Sequence, residues 1–172
     1  YKWNRLCYGV HKNIPHLRIE NRYIPSGPSI KDEIANALFW AGVMTGMPDE
    51  YKEIWTKMPF VDAKSNFLNA ARTGIDTYFN WFGKGISTKK IIKKILLPIA
   101  REGLKKAKID AKDITYYLGI IEKRVDKNIT GSKWLSRNKR SLAKNTSKYE
   151  TNVLLTYHTH KNQQQNIPVH LW

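Results

Sequence analysis

Arg18, Glu20 and Arg22 occupy every second position of the stretch "HLRIENRYI". On an extended strand alternate side chains share a face, and successive ones on that face stand about 6.6–7 Å apart. A small ligand on that face would reach all three. A carboxylate between two guanidiniums stays ionised and is able to ligate Mg²⁺. Each guanidinium clamps phosphate or carboxylate oxygens through paired hydrogen bonds. An acid for a metal beside arginines for phosphate is what phosphoryl transfer needs. The same spacing also suits an exposed cross-strand ion network, and spacing alone leaves both readings open.

The flanking residues predict the elements that hold this triplet. Leu17, Ile19 and Tyr23 alternate with the charged set, so the strand has one apolar and one polar face. "YKWNRLCYGV" alternates in the same way and predicts a preceding strand, with "HKNIP" as the hairpin connection. Arg5 on that strand is a further candidate for the polar face. "PSGPS" stops the second strand. Ser29 with Asp32 then resembles a capping box at the start of a helix. Ile30, Ile34, Ala37, Leu38, Ala41 and Met44 follow helical spacing there, and Ala35, Ala41 and Gly42 predict close packing.

Helices are also predicted at "PDEYKEIWTKM" and at "FVDAKSNFLNAARTG". The second ends at Gly74 and carries Lys64 and Arg72, two more binding candidates. "IDTYFNWFGKGIS" reads as strand, loop or turn. The remainder is helical, with a kink or break at Pro98 and N-caps at Asp110 and Ser147, paired with Asp113 and Glu150. Ile114, Tyr117, Leu118, Ile121 and Val125 form an apolar stripe. The tail "NIPVHLW" is apolar enough to dock.

The chain's 172 residues suffice for one domain with a real core. A net charge of +16 invites a polyanion as partner. Yet Lys89, Lys90, Lys93 and Lys94 alternate with Ile91, Ile92, Ile95 and Leu96, which reads as one helix with an apolar face and a solvated lysine face. No zinc-finger, RNP-type or helix-turn-helix pattern accompanies them, so nucleic acid is not the expected partner. A basic, helix-rich module for nucleic acid or another polyanion stands as the alternative reading. Cys7 is the only cysteine. It fits a reducing, cytoplasmic compartment and a buried structural thiol. His158 and His160 are two apart and point to different sides of a helix, which argues against a metal pair. No apolar run approaches the roughly 20 residues of a membrane span.

The order of these features adds a resemblance. "LRIENRYIPSGPSIKDEIANALFWAGVMTG" resembles the carboxy-terminal signature of the glutamate–cysteine ligase-like carboxylate–amine ligases. It is more distantly similar to glutamine synthetase, in which an Arg-Ile-Glu-x-Arg strand runs through a proline-containing turn into a helix rich in small residues. The likeness extends over most of residues 1–135 and fades in the lysine- and glutamine-rich end.

The resemblance implies an α+β, predominantly helical piece: the last strands of a glutamine-synthetase-like antiparallel sheet (1–28, with the turn), then a mainly helical region (29–172). It implies ATP and Mg²⁺ as cofactors, with glutamate and an amine such as cysteine as substrates. The γ-carboxylate is phosphorylated, and the amine displaces phosphate to form an amide. Carried onto matching positions, Glu20 is a metal ligand, Arg22 binds the transferring phosphate, and Arg18 shares that face. Arg5, Lys64 and Arg72 are cofactor-side candidates. Only Glu20 occupies a convincing metal-binding strand position. The chain is therefore expected to be the C-terminal portion of a larger ligase domain, inactive alone, with an upstream part of the same protein as partner. A homo-oligomer and a non-catalytic scaffold are both compatible with it.

Overall fold

In the computed structural model, which describes residues 4–172, strand β1 (Asn4–His11) pairs antiparallel with β2 (Ile14–Asn21). Tyr1, Lys2 and Trp3 of the predicted first strand lie outside the described residues. Lys12 and Asn13 link the strands with φ of 48° and 62°. Two left-handed residues make a type I′ turn, whose twist matches that of the flanking strands. The register sets Arg5 opposite Glu20 and Cys7 opposite Arg18, with Leu6 opposite Ile19 and Tyr8 opposite Leu17. The hairpin therefore has one polar and one apolar face, as the alternation predicts.

Helix α1 (Ile30–Gly46) is capped by Ser29, whose hydroxyl accepts from the Asp32 amide. The buried side of α1 differs from the predicted stripe. Asp32, Ala35, Gly42 and Gly46 face inward, whereas Ile30, Ile34 and Met44 are exposed at 62%, 37% and 50%. The reason is the partner helix. Gly42 and Gly46 lie directly against Ala100, Ile99 and Gly103, and a Cβ on either glycine would strike that helix's backbone. Backbones this close bury the small-residue face and leave the bulkier one outside.

After a 3₁₀ turn at Asp49–Tyr51 comes the short helix α2 (Ile54–Lys57), where a single longer helix was predicted. Helix α3 (Phe60–Thr73) ends at Gly74 with φ of 60°, as expected. The segment left open as strand, loop or turn is a second hairpin, β3 (Tyr78–Trp81) with β4 (Lys84–Ser87). Phe82 and Gly83 make its left-handed turn. Tyr51 stacks on Phe82 at 5.8 Å.

Helix α4 (Thr88–Ile91) continues through a π-helical turn at Ile92–Leu96 into α5 (Leu97–Lys106). The wider turn ends two residues before Pro98, whose ring and missing N–H disrupt a regular α-helical ladder. Helix α6 (Ala111–Asp126) buries Ile114, Leu118, Ile121 and Val125 of the predicted stripe, along with Ile120, while Tyr117 of that stripe is only partly buried. Ile114, Leu118, Ile120 and Ile121 meet Ala35, Leu97, Ala100 and Leu104 in the main core. Helices α7 (Gly131–Leu142) and α8 (Lys148–Gln164) follow, the latter opened by the predicted Ser147–Glu150 capping box. The tail docks, burying Val169 and His170. With 64% helix, 14% strand and two small antiparallel sheets, the chain is α+β and predominantly helical.

Asp76, between α3 and β3, ties distant elements together. It pairs with Lys133 at the start of α7 and with Lys89 on α4, the latter at 3.1 Å. Hydrogen bonds from Lys133 and then Lys89 hold its carboxyl down at about 2. An unfolded aspartate titrates near pH 3.9. The depressed folded value means that the contribution of Asp76 is complete above about pH 4 and is lost as pH falls through about 2. Thermal melts of wild type and Asp76→Asn from pH 5 to pH 2 are expected to converge at the acid end. A constant gap between the two curves would assign the effect to something other than this carboxylate.

Candidate functional site

The hairpin brings Arg5, Arg18 and Glu20 onto one solvent-facing side. Strand β2 stops at Asn21, short of the predicted strand end, and Arg22, one residue beyond it, reaches back to Glu20 through its side chain. Glu20 Oε1 lies 3.1 Å from Arg22 Nη2, and Arg22 also donates to Oε2 at 3.2 Å. Cys7 Sγ approaches Oε2 at 3.7 Å. Arg22, partly opposed by desolvation, holds the Glu20 carboxyl below its ordinary range, with smaller help from Cys7 and Arg5. Glu20 is therefore anionic at neutral pH. Two further groups share the face. Cys7 is half-buried and touches Glu20, rather than being the fully buried thiol expected from sequence. The His16 imidazole lies across Gly9, where an added Cβ would stand 2.9 Å from Nε2.

Among the described residues, no group of three His, Cys, Asp or Glu side chains is arranged to hold a metal. Mg²⁺ demands near-octahedral oxygen coordination and keeps waters and phosphate oxygens alongside one or two carboxylates. Glu20 fits as one such carboxylate. It is at present an acceptor for Arg22, which a cation would have to share or displace.

Lys64 and Arg72 are not joined to this face: among the described residues neither forms a hydrogen bond or ion pair with the hairpin. Lys64 is exposed on α3. Arg72 lines a cleft of about 1020 Å³ formed by α3, the 25–28 turn and the start of α7. Tyr23, immediately after Arg22, forms one wall of the cleft and meets Phe67 edge-on at 6.0 Å. Arg124 and Lys133 also line it, and no carboxylate does. Gly131 sits against Pro28 so tightly that a Cβ would approach the proline ring to 2.8 Å. The "PSGPS" turn is thus packed onto the first turn of α7.

Behind this cleft is a polar cluster that sequence reasoning missed. Asp32 is fully buried. Its Oδ2 accepts from Ser29 Oγ at 2.8 Å and from the Val169 amide at 2.9 Å. Its Oδ1 stands 3.5 Å from Arg124 Nε, close enough for an ion pair but too poorly aligned for a hydrogen bond. Arg124 also donates to Asn36 Oδ1 at 3.0 Å. Burial pushes the Arg124 pKa down, and the Asp32 charge opposes this. Asp32 is thus more than a cap: it joins α1 to α6 and to the tail. The run "EKRVDK" carries no local sign that Arg124 turns inward.

The lysine run is partly neutralised. Lys89 pairs with Asp76 and Lys93 with Asp126, while Lys90 and Lys94 face solvent. No helix is long and apolar enough to cross a membrane among the described residues. No protein-family model, curated protein or solved structure matches the chain.

Proposed function

We propose that this chain is the C-terminal portion of an ATP-dependent, glutamate–cysteine ligase-like enzyme, and that its first hairpin forms one wall of the catalytic site. The carrying observation is the Glu20–Arg22 pair on the polar face, with Arg5 directly across the ladder and Arg18 at the next same-face position. In this reading Glu20 supplies an oxygen to Mg²⁺, which when bound neutralises phosphate charge and orients the nucleotide. Arg22 and Arg18 aim guanidiniums at the transferring phosphoryl oxygens, where negative charge accumulates. Arg22 does most to keep the Glu20 carboxylate ionised, and Arg5 adds a smaller electrostatic contribution.

A second observation supports a larger assembly around the hairpin. Leu6, Tyr8, Val10, Leu17 and Ile19 on its apolar face are each more than half exposed. An isolated hairpin is marginal in water, and an apolar face of this size calls for cover. The reading assigns that cover to further strands of a glutamine-synthetase-like sheet from the same protein, working in the cytoplasm on glutamate and an amine such as cysteine.

The test is ADP release by the complete protein with Mg²⁺-ATP, glutamate and cysteine. Glu20→Ala is expected to lower kcat by about 100-fold or more, the usual effect of deleting a charge-stabilising group in the transition state, while the circular dichroism melt is unchanged. Near-normal turnover would remove Glu20 from the metal site. The isolated 172-residue chain is expected to make no amide, and robust amide formation by it would refute its role as one wall of a larger site.

A further inference from the structure

A second cleft, of about 990 Å³, lies between α6 and the docked tail. Lys31, Arg101, Lys112 and Lys123 line it, against a single carboxylate, Glu122. Among the described residues none of these four cations forms an ion pair, although Lys52, Lys89, Lys93, Lys105, Arg124 and Lys133 all do. Unpaired like charges around one concavity repel one another and focus a positive field on whatever enters it. The wall between them is apolar, with Tyr116 47% exposed and Leu171 61% exposed.

Gly119 gives the cleft a purpose. It lies in the middle of α6, where glycine weakens a helix relative to alanine. Gly42 and Gly103 are glycines because a neighbouring backbone leaves no room for a Cβ; at Gly119 a Cβ would meet nothing within 4 Å. No packing demand explains it, whereas close approach of a ligand to the helix backbone does. His170, which also lines the cleft, is 5% exposed, and its Nδ1 has no hydrogen-bond partner.

We infer that this cleft is a binding site for a phosphorylated small molecule of nucleotide size. Its ring lies along Gly119 and Tyr116, and its phosphates meet the surrounding cations. Lys112 and Lys123 are eleven residues apart on α6, a span of about 16 Å. That is too far for one inorganic phosphate to bridge and suits an extended ligand with a planar body. The inference is independent of the ligase reading, whose nucleotide belongs at the hairpin.

The test is calorimetric titration of the full chain with ADP, in EDTA and 0.15 M NaCl to suppress both metal-dependent and diffuse electrostatic binding. One ADP is expected to bind per chain. Lys123→Ala should weaken it about tenfold, as loss of a charge-assisted contact does, and Gly119→Leu should abolish it. Gly119→Ala is the sharper variant: it should raise Tm, because alanine favours helix, yet weaken ADP binding. A purely structural glycine would not separate those two readouts. Absence of ADP binding by the wild type would overturn the proposal. So would ADP binding that survives Gly119→Leu but is lost in Arg22→Ala, which would assign the nucleotide to the hairpin. Equal weakening by Lys148→Ala, or displacement of ADP by short single-stranded DNA that itself tolerates Gly119→Leu, would reassign the charge to diffuse polyanion binding.

Discussion

Replacing Asp32 by alanine is expected to cost about 3–5 kcal/mol of folding stability, the effect of stranding a buried charge. Asp32 has no solvent exposure, and the Arg124 side chain retains only 13%. Removing the carboxylate leaves that guanidinium without its counter-charge, held only by Asn36 and the backbone carbonyl at position 32. It also strips the acceptor from the Val169 amide, a buried donor at the far end of the chain. Two penalties therefore coincide: an unpaired cation and an unsatisfied N–H. Urea denaturation followed by far-UV circular dichroism measures the loss. Hydrogen exchange at Val169 should accelerate in the variant, because its amide then has no partner. A loss below about 1 kcal/mol would mean that water already solvates the pair. The double variant Asp32→Leu, Arg124→Met tests the same cluster from the other side. Replacing both charges removes the stranded ion, so its cost should fall well short of the two single losses added together.

Gly103→Ala is expected to destabilise by about 1–3 kcal/mol through overpacking, against a helix-propensity gain of up to about 1 kcal/mol. The sign is the informative part. In an exposed helix this change stabilises. Here the added methyl would collide with the Gly42 carbonyl oxygen and lie 2.5 Å from the Gly46 amide nitrogen. Those are backbone atoms of α1 and cannot swing aside as a side-chain end would. The helices must separate, and the contacts of Ala35 and Ala100 in the core loosen with them. A lower Tm for Gly103→Ala beside a higher Tm for Gly119→Ala would show that spatial context, rather than glycine itself, sets the outcome. Stabilisation by Gly103→Ala would refute the close α1–α5 contact.

Much of this architecture is legible along the chain because it depends on near neighbours. Period-two alternation sets the two faces of the first hairpin, and so places Arg18 and Glu20 together. Ser147 and Glu150 satisfy each other across one turn. The stripe from Ile114 to Val125 names its own buried side. Gly74 marks where α3 must stop. Each signal spans a few residues and needs no knowledge of what lies opposite.

Other features follow from contacts distant in sequence. The inward face of α1 is decided by Gly103 and Ala100 on α5, since a close backbone approach outweighs the pull of Ile30, Ile34 and Met44 toward the interior. Asp32 looks like a cap from its neighbours alone; its second role depends on Arg124 and Val169, roughly 90 and 140 residues downstream, meeting it in one buried place. Lys64 and Arg72 carry the right chemistry for the hairpin site, yet α3 turns Arg72 into a different cleft. The triplet in "HLRIENRYI" was readable as a polar strand face because alternation is local. That Arg5 stands directly across from Glu20 was decided only when the hairpin closed, because cross-strand register does not exist until two strands pair.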